Sequence, residues 1–245
     1  MKPTQALLSL FSLLPLISAL PAAVPEADAL PEALPEAEPT LTGLSDLQDL
    51  QTRDLAIRAL GDATQNDLTN GSPCKDITII FARGTTEDGN VGTSTGPPFF
   101  EALGRLVGPS RVAVQGVNYA ANVGGFLAGG DRAGSALMAQ LAARAVTQCP
   151  RTKLVLGGYS QGAQVVHNAA AQLSAATANF VSSVVTFGDP FKNRGFGSIP
   201  SSKVKIFCNW GDNICDGGVL VLYPHLTYRN DAAAAAAFVK SKAGI

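Results

Sequence analysis

The pentapeptide Gly158-Tyr159-Ser160-Gln161-Gly162 has the form G-x-S-x-G, which holds up a serine as a nucleophile for acyl transfer. Its surroundings are the ones that motif needs. The apolar run of residues 153–158 reads as a strand, and the stretch 161–176 carries apolar residues at helical spacing. Side chains at 158 and 162 would collide with neighbouring backbone in so sharp a turn, so glycine is required at both. The serine is expected in a strained conformation with its hydroxyl projecting. A helix starting at Gln161 aims its positive end at the same point, and the Gln161 N–H becomes a natural donor to an oxyanion.

A serine of this kind needs a base, and the base needs an orienting acid. The chain has two histidines, His167 and His225. His167 lies seven residues beyond Ser160 on the same helix, about 10 Å along its axis, too far to reach the hydroxyl; a surface or helix-packing role is expected. His225 is the base by elimination and by the chain order Ser…Asp…His. Two aspartates compete for the third place, Asp189 in TFGDP and Asp212 in CNWGDNIC. Asp189, followed by Pro190, also reads as a turn initiator. Asp212 is favoured if a bridge between Cys208 and Cys215 fixes its loop. The second oxyanion donor should come from the loop after an early strand, where Thr85 offers an N–H and a hydroxyl.

The elements that must position these residues are legible as runs. Residues 76–82, 111–117, 153–158, 180–188 and 203–208 are short and apolar on both faces, and helical patterns alternate with them at 98–108, 131–149, 161–176 and 231–244. This predicts one α/β domain over residues 64–245, a three-layer α/β/α sandwich with a five-stranded parallel sheet. Asp131 and Asp231 are the expected N-caps of their helices. Residues 118–130 read as a Gly-rich loop. In such a sheet function gathers at the C-terminal ends of strands, where Ser160 lies.

The N-terminus is of a different kind. Lys2 followed by an interrupted apolar run ending near Ala19 predicts a signal peptide over residues 1–19 and a secreted product. Residues 20–60 then form an acidic, proline-rich pro-segment or spacer, with leucines at helical spacing over 44–60. Residues 51–245 hold 17 basic against 12 acidic residues without a basic cluster. Nucleic acid is therefore not an expected partner, and no second apolar run predicts a membrane span. Asn70-Gly71-Ser72 has the form of a glycosylation acceptor, with Pro73 a discouraging neighbour.

Four cysteines behind a signal peptide suggest two disulfides, with three possible pairings. Cys74 and Cys149 precede the first and third strands, so a bridge between them would pin the edge opposite Ser160. One between Cys208 and Cys215 would close a short loop. The spacings fit no zinc pattern.

The blocks FARGTTEDGNVG, KLVLGGYSQGAQV, CNWGDNIC and PHLTY, in this order, resemble fungal cutinases over some four-fifths of the chain. The resemblance implies a small α/β hydrolase, a serine esterase without cofactor, acting on an insoluble polyester (cutin) or a lipid-like ester; a monomer is the default expectation. It implies Ser160, Asp212 and His225 as catalytic residues, settling the choice against Asp189, with Thr85 and Gln161 forming the oxyanion hole. It also implies the disulfides Cys74–Cys149 and Cys208–Cys215. Val219, Val221 and Leu226 match positions lining the family's acyl crevice, and Phe126 and Leu127 are the expected facing wall. Thr85 stands where the family often has serine. The FGDP turn at 187–190 is the form seen in acetylxylan esterases, the nearest alternative; a non-catalytic surface-binding or elicitor protein on the same scaffold is the other.

Overall fold

A computed structural model describes residues 44–245. The expected signal peptide over 1–19, and residues 20–43 of the acidic segment, lie outside them. Five parallel strands form the sheet: β1 (Ile77–Ala82), β2 (Val112–Gly116), β3 (Lys153–Tyr159), β4 (Val181–Phe187) and β5 (Val204–Phe207), in the order β2-β1-β3-β4-β5. β1 and β2 are buried along their whole length. Both faces of a covered parallel sheet leave water, which is why these strands read as unbroken apolar runs.

The helices are α1 (Leu44–Leu60), α2 (Gly96–Val107), α3 (Val123–Leu127), α4 (Arg132–Gln148), α5 (Gln161–Ala170), α6 (Ala175–Phe180) and α7 (Ala232–Ala243). Alternate residues of β1 serve the two layers. Ile77, Ile79 and Phe81 pack with Phe99, Phe100 and Leu103 of α2 and Ala235 and Val239 of α7. Ile80 and Ala82 pack with Met138, Leu141 and Ala142 of α4 and Val165 and Val166 of α5. α1 forms as expected, but only its end is seated. Ile57 and Leu60 are buried, whereas Leu47, Leu50 and Leu55 face solvent.

Three expectations need correction. The helix after Ser160 does not run to 176: it stops at Ala170, and Ser174 caps a separate α6, accepting from Thr177 N. The Gly-rich loop contains α3, whose first turn is capped by the Asn122 side chain accepting from Gly125 N. Asp131 does cap α4, through Gly134 N at 2.7 Å. Asp231, by contrast, makes no cap bond. The chain enters α7 through a 3-10 turn over Tyr228–Asp231, and Asp231 already has helical dihedrals, so its carboxylate cannot turn back onto the first amides. Its partial burial raises its pKa.

Both disulfides join the pairs anticipated, Cys74–Cys149 and Cys208–Cys215. The first ties the chain just before β1 to the end of α4, before β3. Closing a loop of 75 residues limits the unfolded chain by about 4 kcal/mol in the chain-entropy view. Among the described residues no helix is long and apolar enough to cross a membrane.

Candidate active site

β1 has β2 on one side and β3 on the other, so the chain reverses its direction of travel across the sheet between β1 and β3. The loops leaving such a pair of strands diverge and open a crevice at their C-terminal ends. The register places Ala82 beside Gly158. The loop carrying Thr85 and the turn carrying Ser160 therefore emerge side by side.

Ser160 has φ 56° and ψ −120°, a strained conformation for a residue with a side chain. The two glycines around it permit the turn for steric reasons. A Cβ on Gly158 would lie 2.4 Å from Gly162 O, and one on Gly162 only 2.0 Å from Ala82 O. The Ser160 N–H donates to Phe187 O on β4 at 2.9 Å, fixing the elbow to the sheet.

His225 sits in a 3-10 turn over Tyr223–Leu226 and is 1% exposed. Its Nε2 lies 2.9 Å from Ser160 Oγ and its Nδ1 2.8 Å from Asp212 Oδ2. Asp212 is held inside the loop closed by Cys208–Cys215, with its Oδ1 accepting from Ile214 N at 2.9 Å. That loop is pinned to the histidine turn because Asn209 Nδ2 donates to Pro224 O and to Thr227 Oγ1. From its tip Trp210, the chain's single tryptophan, projects into solvent, 98% exposed.

Two tyrosines not picked out in the sequence complete this group. Tyr228 donates its hydroxyl to Asp212 Oδ2 and accepts from Asn209 N at 3.0 Å. Burial and the neighbouring carboxylate raise its pKa, so it remains a donor. Tyr159 donates to His225 O at 2.8 Å and stacks on the imidazole, and burial raises its pKa also. Both stand in the quoted blocks, as the second residue of GYSQG and the last of PHLTY.

Gln161 is the first residue of α5, so its N–H is among the free donors of a helix start. The N–H of Thr85 has no acceptor among the described residues. The Gln161 side chain links the two sides of the crevice, its Nε2 donating to Thr85 Oγ1 and to Asn122 O, both at 2.8 Å. Glu87 carries no motif of its own in the sequence. Its carboxylate accepts from Gly84 N, Thr93 N, Ser94 N and Ser94 Oγ, folding the loop onto itself.

Ser160 and His225 open into a cleft of about 550 Å³. Val123, Phe126, Ile214, Val219, Val221 and Leu226 give it an apolar side, and Thr85, Thr86, Asp88 and Ser94 a polar one. Val219, Val221, Leu226 and Phe126 thus all line the cleft that holds Ser160. Leu127 does not: it is 66% exposed and lines an adjoining hollow with Phe191 and Arg194. One helical residue on from Phe126, its side chain is rotated by about 100° to another face.

The other histidine is not on the surface. His167 is buried, with Nε2 2.9 Å from Asp189 Oδ2 and Nδ1 3.1 Å from Gly195 O. Asp189 keeps its turn role, accepting from Phe191 N, while serving as partner to a histidine remote from Ser160. Among the described residues no group of His, Cys, Asp and Glu is arranged to hold a metal ion.

The family model described as Cutinase matches residues 73–243. The chain belongs to the cutinase family. It is a carboxylic ester hydrolase. A cutinase of Botryotinia fuckeliana is 53% identical over 70% of this chain and 85% of that protein. Cutinase pbc1 of Pyrenopeziza brassicae is 50% identical over 76% of this chain and 92% of its own. Among solved structures, a Trichoderma reesei cutinase bound to a phosphonate inhibitor superposes with a TM-score of 0.70, at 45% identity, over 79% of this chain and 86% of that one. An acetylxylan esterase is more distant, with a TM-score of 0.57 and 27% identity over 70% of this chain and all of its own.

Proposed function

We propose that this enzyme is a secreted, monomeric cutinase that cleaves cutin, the plant cuticle polyester, and short-to-medium acyl esters through an acyl-enzyme. The observation that carries the reading is the continuous line from Ser160 Oγ through His225 to Asp212, with bonds of 2.9 and 2.8 Å. In this reading His225 Nε2 takes the proton of Ser160 as Oγ attacks the ester carbonyl carbon. The N–H groups of Thr85 and Gln161 receive the oxyanion, each worth roughly 10²–10³ in rate. His225 then passes the proton to the leaving alcohol, and a water repeats the sequence on the acyl-enzyme to free the acid. Asp212 holds the Nδ1–H toward itself and stabilises the imidazolium, a role worth about 10⁴ in related triads.

The apolar side of the cleft suits an acyl chain, which is why an aliphatic polyester is favoured over an acetylated polysaccharide. Residues 1–19 are proposed as the signal peptide, 20–60 as a pro-segment or spacer and 64–245 as the catalytic domain. Ser160→Ala is expected to abolish turnover of p-nitrophenyl butyrate and release of cutin monomers while circular dichroism stays unchanged. Retained turnover would refute the assignment.

A further inference from the structure

The buried pair His167–Asp189 takes no part in the scheme above, yet it is built with as many bonds as the reacting pair. Asp189 is fully buried. Its Oδ2 receives Thr186 Oγ1 at 2.7 Å and faces His167 Nε2 at 2.9 Å, while its Oδ1 receives Phe191 N at 2.8 Å. The His167 ring stacks on Phe196 with centroids 3.8 Å apart and meets Phe191 edge-on. A carbonyl faces one ring nitrogen and a carboxyl group the other. Each of those lines needs a proton, so the ring carries both or the carboxyl carries one. His225 differs in one respect: a hydroxyl, itself a donor, faces its Nε2. That leaves His225 free to accept a proton and His167 with no lone pair to offer any reactant.

What this pair holds is the segment Phe187-Gly188-Asp189. Phe187 O receives the N–H of Ser160 at 2.9 Å. Gly188, at φ 56°, lies flat against the reacting histidine; a Cβ there would stand 2.6 Å from His225 Cε1 and 2.8 Å from its Nδ1. Gly188 N donates to Phe207 O, and the next side chain is the one clamped by His167. One short piece of backbone therefore abuts both the serine and the imidazole.

We propose that His167 and Asp189 are positioning residues for the reaction, setting the backbone of 187–189 on which Ser160 and the His225 ring rest. This rests on the reading of Ser160 and His225 as the reacting residues. The pair acts through distance and orientation alone, since misplacement by about 1 Å costs on the order of a hundredfold in rate.

The test uses His167→Phe, which keeps a ring on Phe196 and loses both hydrogen bonds, and His167→Gln, which keeps one N–H toward Asp189. Each is titrated with an organophosphate that labels the reactive serine, and kcat on p-nitrophenyl butyrate is expressed per labelled site. His167→Phe is expected to lower kcat per site by roughly tenfold to a hundredfold with KM within about twofold. His167→Gln should recover most of that. The downfield proton resonance of His225 Nδ1–H should shift or broaden in the Phe variant. Unchanged kcat per labelled site, with only a lower melting temperature or a smaller labelled fraction, would overturn the proposal and leave the pair a packing element. If the unsubstituted enzyme were not labelled at Ser160, the underlying reading of the site would fail instead.

Discussion

Tyr228→Phe isolates one hydroxyl. The ring is retained, and with it the contacts to Phe187, Tyr159 and His225 at centroid separations of 6.2, 6.0 and 6.0 Å. No cavity forms. Two strong hydrogen bonds disappear, the one donated to Asp212 Oδ2 and the one accepted from Asn209 N, together with a longer contact to Cys215 Sγ at 3.5 Å. A bond to a charged group contributes about 1.5–3 kcal/mol, and stranding a buried donor costs about 1–3 kcal/mol. Asn209 is only partly buried, so water can replace much of the second term. A loss near 3 kcal/mol is therefore expected, and for a domain of this size the melting temperature should fall by about 6–12 °C. The effect on kcat should be much smaller. Asp212 keeps the Ile214 N–H and His225 Nδ1–H, and the lost bond exists before the transition state as well as in it. A fall below about tenfold per labelled site is expected, against about 10⁴ for loss of the carboxylate itself. Melting followed by circular dichroism, with kcat on p-nitrophenyl butyrate, decides. An unchanged melting temperature with a thousandfold loss of kcat would refute the reasoning and place the hydroxyl in the reacting relay.

Gly162→Ala should fail at the level of the elbow. Its Cβ would sit 2.0 Å from Ala82 O, with Ala82 C and Arg83 O, also backbone, within 2.7 Å, so a loss above about 3 kcal/mol, or insoluble protein, is expected in thermal melts, and a soluble, fully active variant would contradict the geometry. Alkaline pH should act through the tyrosines. Burial raises the pKa of Tyr119, Tyr159 and Tyr228. An acid raised on folding gives its full stabilisation below its unfolded value, about 10, and loses it as pH climbs above that. Above about pH 10 each of the three should remove up to about 1.4 kcal/mol per pH unit. Tyrosinate absorbance from these three should rise only together with unfolding; early, gradual ionisation of all four tyrosines would count against it.

Strands β1 to β4 were legible because burial on nearly all of both faces leaves a local signature, a mostly apolar run, and the elbow because steric demands require glycine at 158 and 162. Ala170, where α5 stops, carries no comparable mark. Residues 171–174 hold neither glycine nor proline, and what meets the helix end is Gly197, whose added Cβ would lie 2.3 Å from Ala170 O. That is a contact across 27 residues, invisible to periodicity. Asp231 before a run of alanines has the composition of a cap, but the conformation of the preceding turn decides whether its oxygen can reach. The residues of the triad could be narrowed by counting histidines, whereas Asp189 and Asp212 remained equivalent by order. The resemblance singles out Asp212, and the three-dimensional pairing gives each aspartate its own histidine. Tyr228 and Glu87 act through bonds whose partners no spacing rule links.

Trp210 bears on how this protein can be watched. Its indole is 98% exposed in the folded state and is the chain's sole tryptophan. Emission colour follows the polarity around the indole, and here that surrounding is already water. Denaturation will leave the spectrum almost where it began, so a fluorescence melt of this enzyme would look featureless while the sheet comes apart. Laying the same indole against an oily film would shift the emission with the fold intact. The chain's intrinsic fluorophore is blind to its core and open to whatever its surface touches.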